Sequence, residues 1–464
     1  MAFDSSLAVS GEEISIPLLI WKELEKTKPR EELDRLCDEV SPEAIASIIY
    51  TSGTTGPPKG VLLTHSNFVH NVIGCRDTLK MSENDLHLSF LPLCHVFERT
   101  AGHYLMIYIG ATIAYAEDLD SVPKNINEAR PTFLLGVPRF YEKVSARVLE
   151  AVKKAGPVRK ALFFWAKEIG EAKRTGRRKK NFLSGLEEKI AEALVYKKFR
   201  QRLGGRIRFC VSGGAAIAKE IVEFFDDLGV MIYEGYGLTE TSPVMCVNRE
   251  NQWRIGSVGL PLTGVEVKIA EDGEIVTKSA CVMKGYYHKP EETAAVLKNG
   301  WFCTGDLGSI DRDGFLFITG RKKELIVTSG GKKVSPQRIE EALSQDAYIL
   351  RSVLFGEGKK FITALIVPRK EELLSYATLQ KIAYSTYEEL LKDQKIYEFM
   401  DSRVQAAMAD FASYEKIKYF ALLPNDFSQE SGELTPTLKV KRELVLSRHK
   451  ERLLPFYSDQ YRKD

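Results

Sequence analysis

The seven cysteines of the sequence (Cys37, Cys75, Cys94, Cys210, Cys246, Cys281 and Cys303) are scattered, with no CxxC pair and no Cys/His spacing that would build a zinc site. That distribution excludes a disulfide framework and fits a reduced, cytoplasmic setting. An apolar stretch of bilayer length is also missing. The longest candidate, Leu105 to Ala116, is interrupted by Gly110 and predicts two buried strands. The opening residues, MAFDSSLAVSGEE, lack a basic region followed by an apolar run, so a chain that is not secreted is expected. Net charge is small: 66 Lys and Arg against 63 Asp and Glu leave +3, too little to mark the whole chain as a nucleic-acid binder. Any basic surface must be local.

What is present is ordinary globular usage, 44% hydrophobic and 28% charged residues, which excludes disorder for the bulk of the chain. Its 464 residues allow two or three domains with real cores. AIASII (44–49) runs into YTSGTTGPPKG and resumes as VLLTH, predicting a strand, a Gly-rich loop and a second strand. Further short apolar strands, FLLGV, IRFCV and VMIYEGY, alternate with helical spacing such as KEIVEFFDDLG, the pattern of an α/β layer fold. From about Leu260 the texture becomes short strands and tight turns, with a hairpin at AEDGE, predicting a small β-rich subdomain. A charged connector, GRKKE, then leads to a strand, a Gly-Gly turn and a helix started at Ser335 with Pro336 in its first position. A domain boundary is placed at about Gly320.

The segment from Lys153 to Arg208 is locally very basic, with KK at 153–154, KRTGRRKK at 173–180 and KKFRQR at 197–202, interleaved with LFFWA and ALVY. A solvated helical hairpin accounts for it. So does contact with anionic lipid, because basic faces beside aromatic residues suit a membrane surface.

Four motifs carry chemistry. TSGTTGPPKG (51–60) packs hydroxyls, glycines and Lys59 between strands, the mixture that polyphosphate binding needs, although it does not fit a Walker loop. YEGYGLTETSP (233–243) follows a β-branched strand. Its Tyr236 can stack on a flat base, Thr239 can donate to a phosphate, and Glu240 is a hard oxygen ligand suited to Mg²⁺. In WFCTGDLGSIDRDGFLFITGRKKE (301–324), Asp306 suits a diol and Arg321 suits phosphate or ribose oxygens, although turn residues would explain both. SGELTPTLKVKREL (431–444) places Lys439 on a short loop, where position alone does not single it out.

Taken in order, SGTTGPPKG, GGAA, YGLTET, TGDLG, GRKKE and LTPTLKVKR resemble the signature series of the adenylate-forming (AMP-binding) superfamily. LPLCHVFERT, GVPRFYEKV, GYYHKPEET and LTPTLKVKRE are similar to long-chain fatty acyl-CoA synthetases. The resemblance runs from about residue 40 to the end. It implies an adenylate-forming α/β fold with a large N-terminal domain over 1–320, its β-rich subdomain at 260–320, and a small mobile α+β C-terminal domain over 321–464. It also implies a two-step reaction: a fatty carboxylate and ATP give acyl-AMP and pyrophosphate, and CoA then takes the acyl group.

By the same resemblance Thr51, Ser52, Gly53, Thr54, Thr55, Gly56 and Lys59 cradle the β- and γ-phosphates, and Gly214, Ala215, Gly235 and Tyr236 line the adenine. Gly237 and Thr239 belong to the nucleotide site, with Thr239 on phosphate. Glu240 and Thr51 are the magnesium residues, and Asp306 and Arg321 serve the ribose. Lys439 bridges the carboxylate and α-phosphate as the catalytic cation. Lys323 is the hinge, Gly330 and Gly331 line the pantetheine channel, and His95 lies beside the acyl pocket, against the alternative of a satisfied core histidine. The expected cofactor is Mg²⁺ and the partners are a long-chain fatty acid, ATP and CoA, with no nucleic acid and with peripheral contact on the cytoplasmic face of a membrane through 153–208.

Members of that superfamily carry a subdomain-sized segment ahead of the Gly-rich loop, which here begins barely fifty residues in. The resemblance therefore implies an N-terminally truncated chain, with exposed apolar surface and a weakened acyl pocket. It leaves two other readings open: an inactive nucleotide-binding remnant, and an adenylating ligase using a carrier protein or another acid.

Overall fold

The computed structural model describes residues 32–51, 58–177, 182–434 and 440–458. Strands β1 (Ile45–Thr51) and β2 (Lys59–Thr64) form an antiparallel hairpin whose register pairs Thr51 with Lys59 and Tyr50 with Gly60. The central sheet holds β3 (Leu86–Ser89), β4 (Thr112–Tyr115), β5 (Phe133–Gly136), β6 (Phe209–Ser212), β7 (Met231–Gly237), β8 (Val244–Val247) and β9 (Leu260–Pro261), in the order β4-β3-β5-β6-β7-β8-β9. Neighbours from β4 to β7 are parallel, and β8 and β9 continue antiparallel.

Parallel strands covered on both faces need apolar side chains on both, and FLLG of β5 is buried throughout. Alternation along the strands sorts the two cores. Leu134, Cys210 and Ile232 face one cluster with the helices α2 (Pro138–Lys153), α3 (Pro157–Arg174) and α5 (Lys219–Asp227). Phe133, Leu135, Phe209, Val211 and Tyr233 face the other, which includes Val72 and Cys75 of α1 (His65–Leu79). A further helix, α4 (Phe182–Ala191), follows α3 and runs through a wide π-turn at Glu192–Tyr196 into Lys197–Arg202.

Two expected strands between Leu105 and Ala116 are one strand only. Leu105–Ile109 is helical, because the π-turn Glu98–Tyr104 feeds directly into it, and Gly110 ends it in the left-handed conformation at φ +72° before β4 begins.

The β-rich region contains β10 (Glu266–Ile269), β11 (Glu274–Lys278), β13 (Leu297–Lys298), β14 (Trp301–Ile310) and β15 (Leu316–Arg321), with β10 and β11 forming the hairpin expected at AEDGE. The short β12 (Gly285–Tyr286) leaves this region to pair with β2. Beyond it come the small hairpin β16 (Ile326–Val327) and β17 (Lys333–Val334), turned at Gly330-Gly331, and then α6 (Pro336–Ser344), begun at Ser335 with Pro336 in its first position. A three-stranded sheet, β18 (Ile349–Phe355), β19 (Ile362–Pro368) and β20 (Ile417–Leu422), follows, with the helices Lys370–Leu379, Tyr387–Leu390 and Gln394–Ala407 between β19 and β20 and α7 (Arg442–Leu453) after them. Among the described residues, the core clusters draw either on residues up to Leu316 or on residues from Ile326 onward.

At the seam between these cores, Gly320 leaves no room for a side chain, because a Cβ there would run into the Ser335 side chain at the start of α6. Nearby, burial pushes the Glu234 carboxyl on β7 up to about 7. The Gly256 N–H, donating to its Oε1 at 3.0 Å, partly offsets this, and the charge of Glu341 on α6 reinforces it. Glu341 is itself raised by burial and by the adjacent Glu340. Folding binds the Glu234 proton more tightly than the unfolded chain does, so its stabilisation is present at acid pH and is lost as pH rises from about 4.5 through about 7. Glu234→Gln should leave the melting temperature nearly unchanged at pH 5 and raise it at pH 8, recovering roughly 1–3 kcal/mol. Superimposable melting profiles for both proteins from pH 5 to pH 8 would refute the assignment.

Candidate active site

The Gly-rich loop is held by its stems. Thr51 ends β1, and its hydroxyl donates to the Lys59 carbonyl at 3.4 Å across the hairpin. Ser52, Gly53, Thr54, Thr55 and Gly56 lie outside the described residues. Lys59 turns back onto the pairing of β2 with β12: it forms an ion pair with Glu292, and its Nζ lies 5.0 Å from the centre of the Tyr286 ring. Lys289 donates to the same Glu292 carboxylate at 2.6 Å. Between the two ammonium groups, hydrogen bonds and charge hold the Glu292 carboxyl at about 2.

Tyr286 links this cluster to the next strand end. Its hydroxyl donates to Glu240 Oε1 at 2.9 Å, and burial followed by the Glu240 charge raises the phenol well above its ordinary value. Glu240 sits in the short 3₁₀ turn Thr239–Thr241 that follows β7, where its carbonyl accepts from the Met283 N–H at 2.8 Å. The turn is pinned from behind by Asn71 of α1, whose amide donates to the Val244 carbonyl at 2.8 Å. Gly237 is required here because a Cβ would overlap the Pro243 carbonyl. Among the described residues Glu240 Oε2 takes no hydrogen bond. One carboxylate oxygen beside a Gly-rich hairpin suits magnesium, which binds through one or two carboxylates and completes its shell with phosphate oxygens and water.

A second cluster joins the central sheet to the β-rich region. Asp306 on β14 is buried, accepts from the Tyr236 hydroxyl at 2.7 Å, and pairs with Arg321 Nε at 2.9 Å. The β14–β15 register sets Asp306 directly opposite Arg321. Burial, reinforced by Asp306, raises the Tyr236 phenol. Tyr236 therefore has its hydroxyl committed to Asp306, a role that the base-stacking expectation did not contain.

A third cluster surrounds the GGAA turn. Gly214, at φ +81°, and Ala215 are exposed, and Gly235 lies on β7. At Gly213 a Cβ would press on the Phe97 ring, so the turn and the LPLCHVFERT segment meet there. His95 is exposed, with its Nδ1 3.3 Å from the Phe97 N–H, which removes the core-histidine alternative. The segment is anchored from inside by the fully buried His87 and Glu98, whose Nε2 and Oε1 lie 2.8 Å apart, and from outside by Arg99, which donates to Ser47 on β1 at 3.1 Å.

The remaining expected residues stand apart from these clusters. Lys323 is exposed in the 3₁₀ turn Lys322–Glu324. Gly330 and Gly331 are exposed, and a Cβ at either would meet nothing. Lys439 lies outside the described residues. The flanking residues Leu434 and Val440 form an antiparallel bridge, and Arg442 grips Glu340 through two bonds of 2.7 and 2.6 Å. Sequence reasoning missed Tyr286, Lys289 and Glu292. Their signal was the Lys289/Glu292 spacing at the start of the helix Pro290–Val296.

A family model for the AMP-binding enzyme matches residues 7–287, and one for the AMP-binding enzyme C-terminal domain matches residues 323–461. Long-chain-fatty-acid–CoA ligase FadD15 of Mycobacterium tuberculosis is 36% identical over 419 residues, covering 89% of this chain and 70% of that protein. Long-chain-fatty-acid–CoA ligase ACSBG2 of Xenopus laevis is 32% identical, covering 95% of this chain and 64% of that protein. The solved structure of O-succinylbenzoate Coenzyme A synthetase (MenE) from Bacillus subtilis, in complex with ATP and magnesium ion, matches with a TM-score of 0.64 at 22% identity, covering 92% of this chain and 74% of that one. The fold is shared with these adenylate-forming enzymes.

Removing the Tyr236 hydroxyl leaves the buried Asp306 carboxylate with one partner fewer. Tyr236→Phe should cost roughly 1.5–3 kcal/mol in urea unfolding, as loss of a hydrogen bond to a charged group. A cost indistinguishable from zero would show that the bond does not tie the two sheets together.

Proposed function

The chain belongs to the AMP-binding enzyme family, and from that membership we infer that it is a long-chain fatty acid:CoA ligase. A fatty carboxylate oxygen attacks the α-phosphorus of ATP to give acyl-AMP and pyrophosphate. The thiol of CoA then attacks the acyl carbon and AMP departs. The first transition state gathers negative charge on phosphate oxygens, so the chain must supply hydrogen-bond donors and cations around them.

The observation that carries the residue assignments is the row Lys59, Tyr286 and Glu240, which puts a cation and a hard oxygen ligand at the foot of one Gly-rich hairpin. In this reading Thr51 to Gly56 and Lys59 take the β- and γ-phosphates, with Thr239 donating beside them. Glu292 holds Lys59 until phosphate competes for it. Glu240, together with Thr51, would hold magnesium, which when bound neutralises charge on the phosphate oxygens. Gly214, Ala215, Gly235, Tyr236 and Gly237 form the adenine side, and Asp306 with Arg321 the ribose side. Lys439 bridges the fatty carboxylate and the α-phosphate during adenylation.

The small lobe, taken as 321–464, then turns about Lys323 and brings Gly330 and Gly331 to the CoA channel, while His95 stays with the acyl group. Peripheral membrane contact through 153–208 belongs to the same reading. No helix among the described residues is long and apolar enough to cross a membrane.

Fatty-acid-dependent pyrophosphate release should fall by about a hundredfold or more in Lys439→Ala, since a cation on the developing charge is lost. Thioester formation from supplied acyl-AMP should persist. Equal release by both proteins would remove Lys439 from adenylation, and a panel of acids with CoA or a carrier protein as acceptor checks the substrate class. In Tyr286→Phe, loss of the hydrogen bond that orients Glu240 should raise half-saturating Mg²⁺ roughly three- to tenfold. An unchanged Mg²⁺ dependence would free Tyr286 from that role.

A further inference from the structure

We propose that the outer face of α4 and of the turn after it is a docking surface for an anionic phospholipid bilayer. The ligase reading supplies the reason for such contact, because long acyl chains partition into bilayers, and the inference rests on it to that extent. The surface itself is argued from geometry and charge.

α4 is amphipathic the wrong way round. Ser184 and Ala191 are buried, and beyond them so are Val195 and Tyr196, the last donating its hydroxyl to the Ala166 carbonyl of α3 at 2.6 Å. The large aliphatic and aromatic side chains point outward instead: Phe182 is 87% exposed and Leu183 68%, and Leu186, Ile190 and Leu194 continue the row. Steps of four residues from Phe182 to Leu194 put these side chains on one helical stripe. Single exposed apolar residues need no explanation, but a stripe along three turns does.

The charge around the stripe chooses its occupant. Residues 153–208 hold 18 Lys and Arg against five Glu, while the remainder of the chain holds 48 against 58. On α4 itself Lys189 is offset by Glu187 and Glu188, and Glu192 follows in the turn. The excess positive charge comes from the surrounding segment, with Lys197 and Lys198 three and four residues beyond Leu194, while Lys173 and Arg177, near the end of α3 and about 70% exposed, pair with Glu188 and Glu171. Arg178, Lys179 and Lys180 lie outside the described residues. A nucleic acid would use the cations and leave the aliphatic row in water. A second copy of this chain would bring like charge against like. An anionic bilayer satisfies both, with the apolar side chains entering the acyl boundary and the lysines resting among the headgroup phosphates.

The test is flotation of the purified chain with neutral phosphatidylcholine vesicles and with vesicles containing about 30% phosphatidylglycerol. Wild type should float with the anionic vesicles and lose most binding at high salt. Phe182→Ser/Leu186→Ser and, separately, Lys197→Glu/Lys198→Glu should each lower the partition coefficient about tenfold or more. Oleate-dependent pyrophosphate release without vesicles checks that the variants are folded, and it also reads the ligase activity independently of docking. Absent release with intact flotation would sink the ligase reading alone. The docking proposal is overturned if wild type stays unbound at low salt, or if both double variants float like wild type. It is equally overturned if the chain binds RNA but not vesicles, or if the serine variant merely converts a dimer to a monomer.

Discussion

A buried carboxylate joins the parts of this molecule that must act together. Asp306 takes the Tyr236 hydroxyl from the central sheet on one side and the Arg321 guanidinium from β15 on the other. Unpaired at that depth it would be costly, so the β-rich region has to dock where Tyr236 stands, and Arg321 has to end β15 opposite Asp306. The chain leaves this junction directly into Lys322, which is bound to Asp272 and Glu274. The residues at the boundary between the two lobes are thus held to the β-rich region by ion pairs.

A similar economy governs the Gly-rich hairpin. Its second stem is held from both sides. β2 is flanked by β1 and by β12, and the latter delivers Tyr286 to Glu240 and brings Glu292 to Lys59. Segments around Lys59, Glu240 and Tyr286, distant in the chain, become one site through a two-residue strand.

Much of the fold was legible in the sequence, for a physical reason. Strands buried on both faces must be apolar throughout, so FLLGV, IRFCV and VMIYEGY announce themselves, as do Ser335 and Pro336 at the start of α6. Leu105–Ile109 was misread because five apolar residues before a glycine suit a strand as well as a helix, and the deciding π-turn precedes them. Asp306, Arg321 and Glu240 could be named from residue type and setting. Tyr286 and Glu292 could not be given their roles, because these come from a strand pairing over long range. The outward row on α4 was hidden for the opposite reason: its spacing is that of a core-facing helix, and only burial reveals which side faces water.

The space for the Ser335 side chain exists only because nothing larger than hydrogen stands at position 320. Any mutation of that codon away from glycine would insert a wedge at the joint, pushing the first turn of α6 outward and changing the angle at which one lobe meets the other. The relative setting of the two halves is thereby written into a single hydrogen atom.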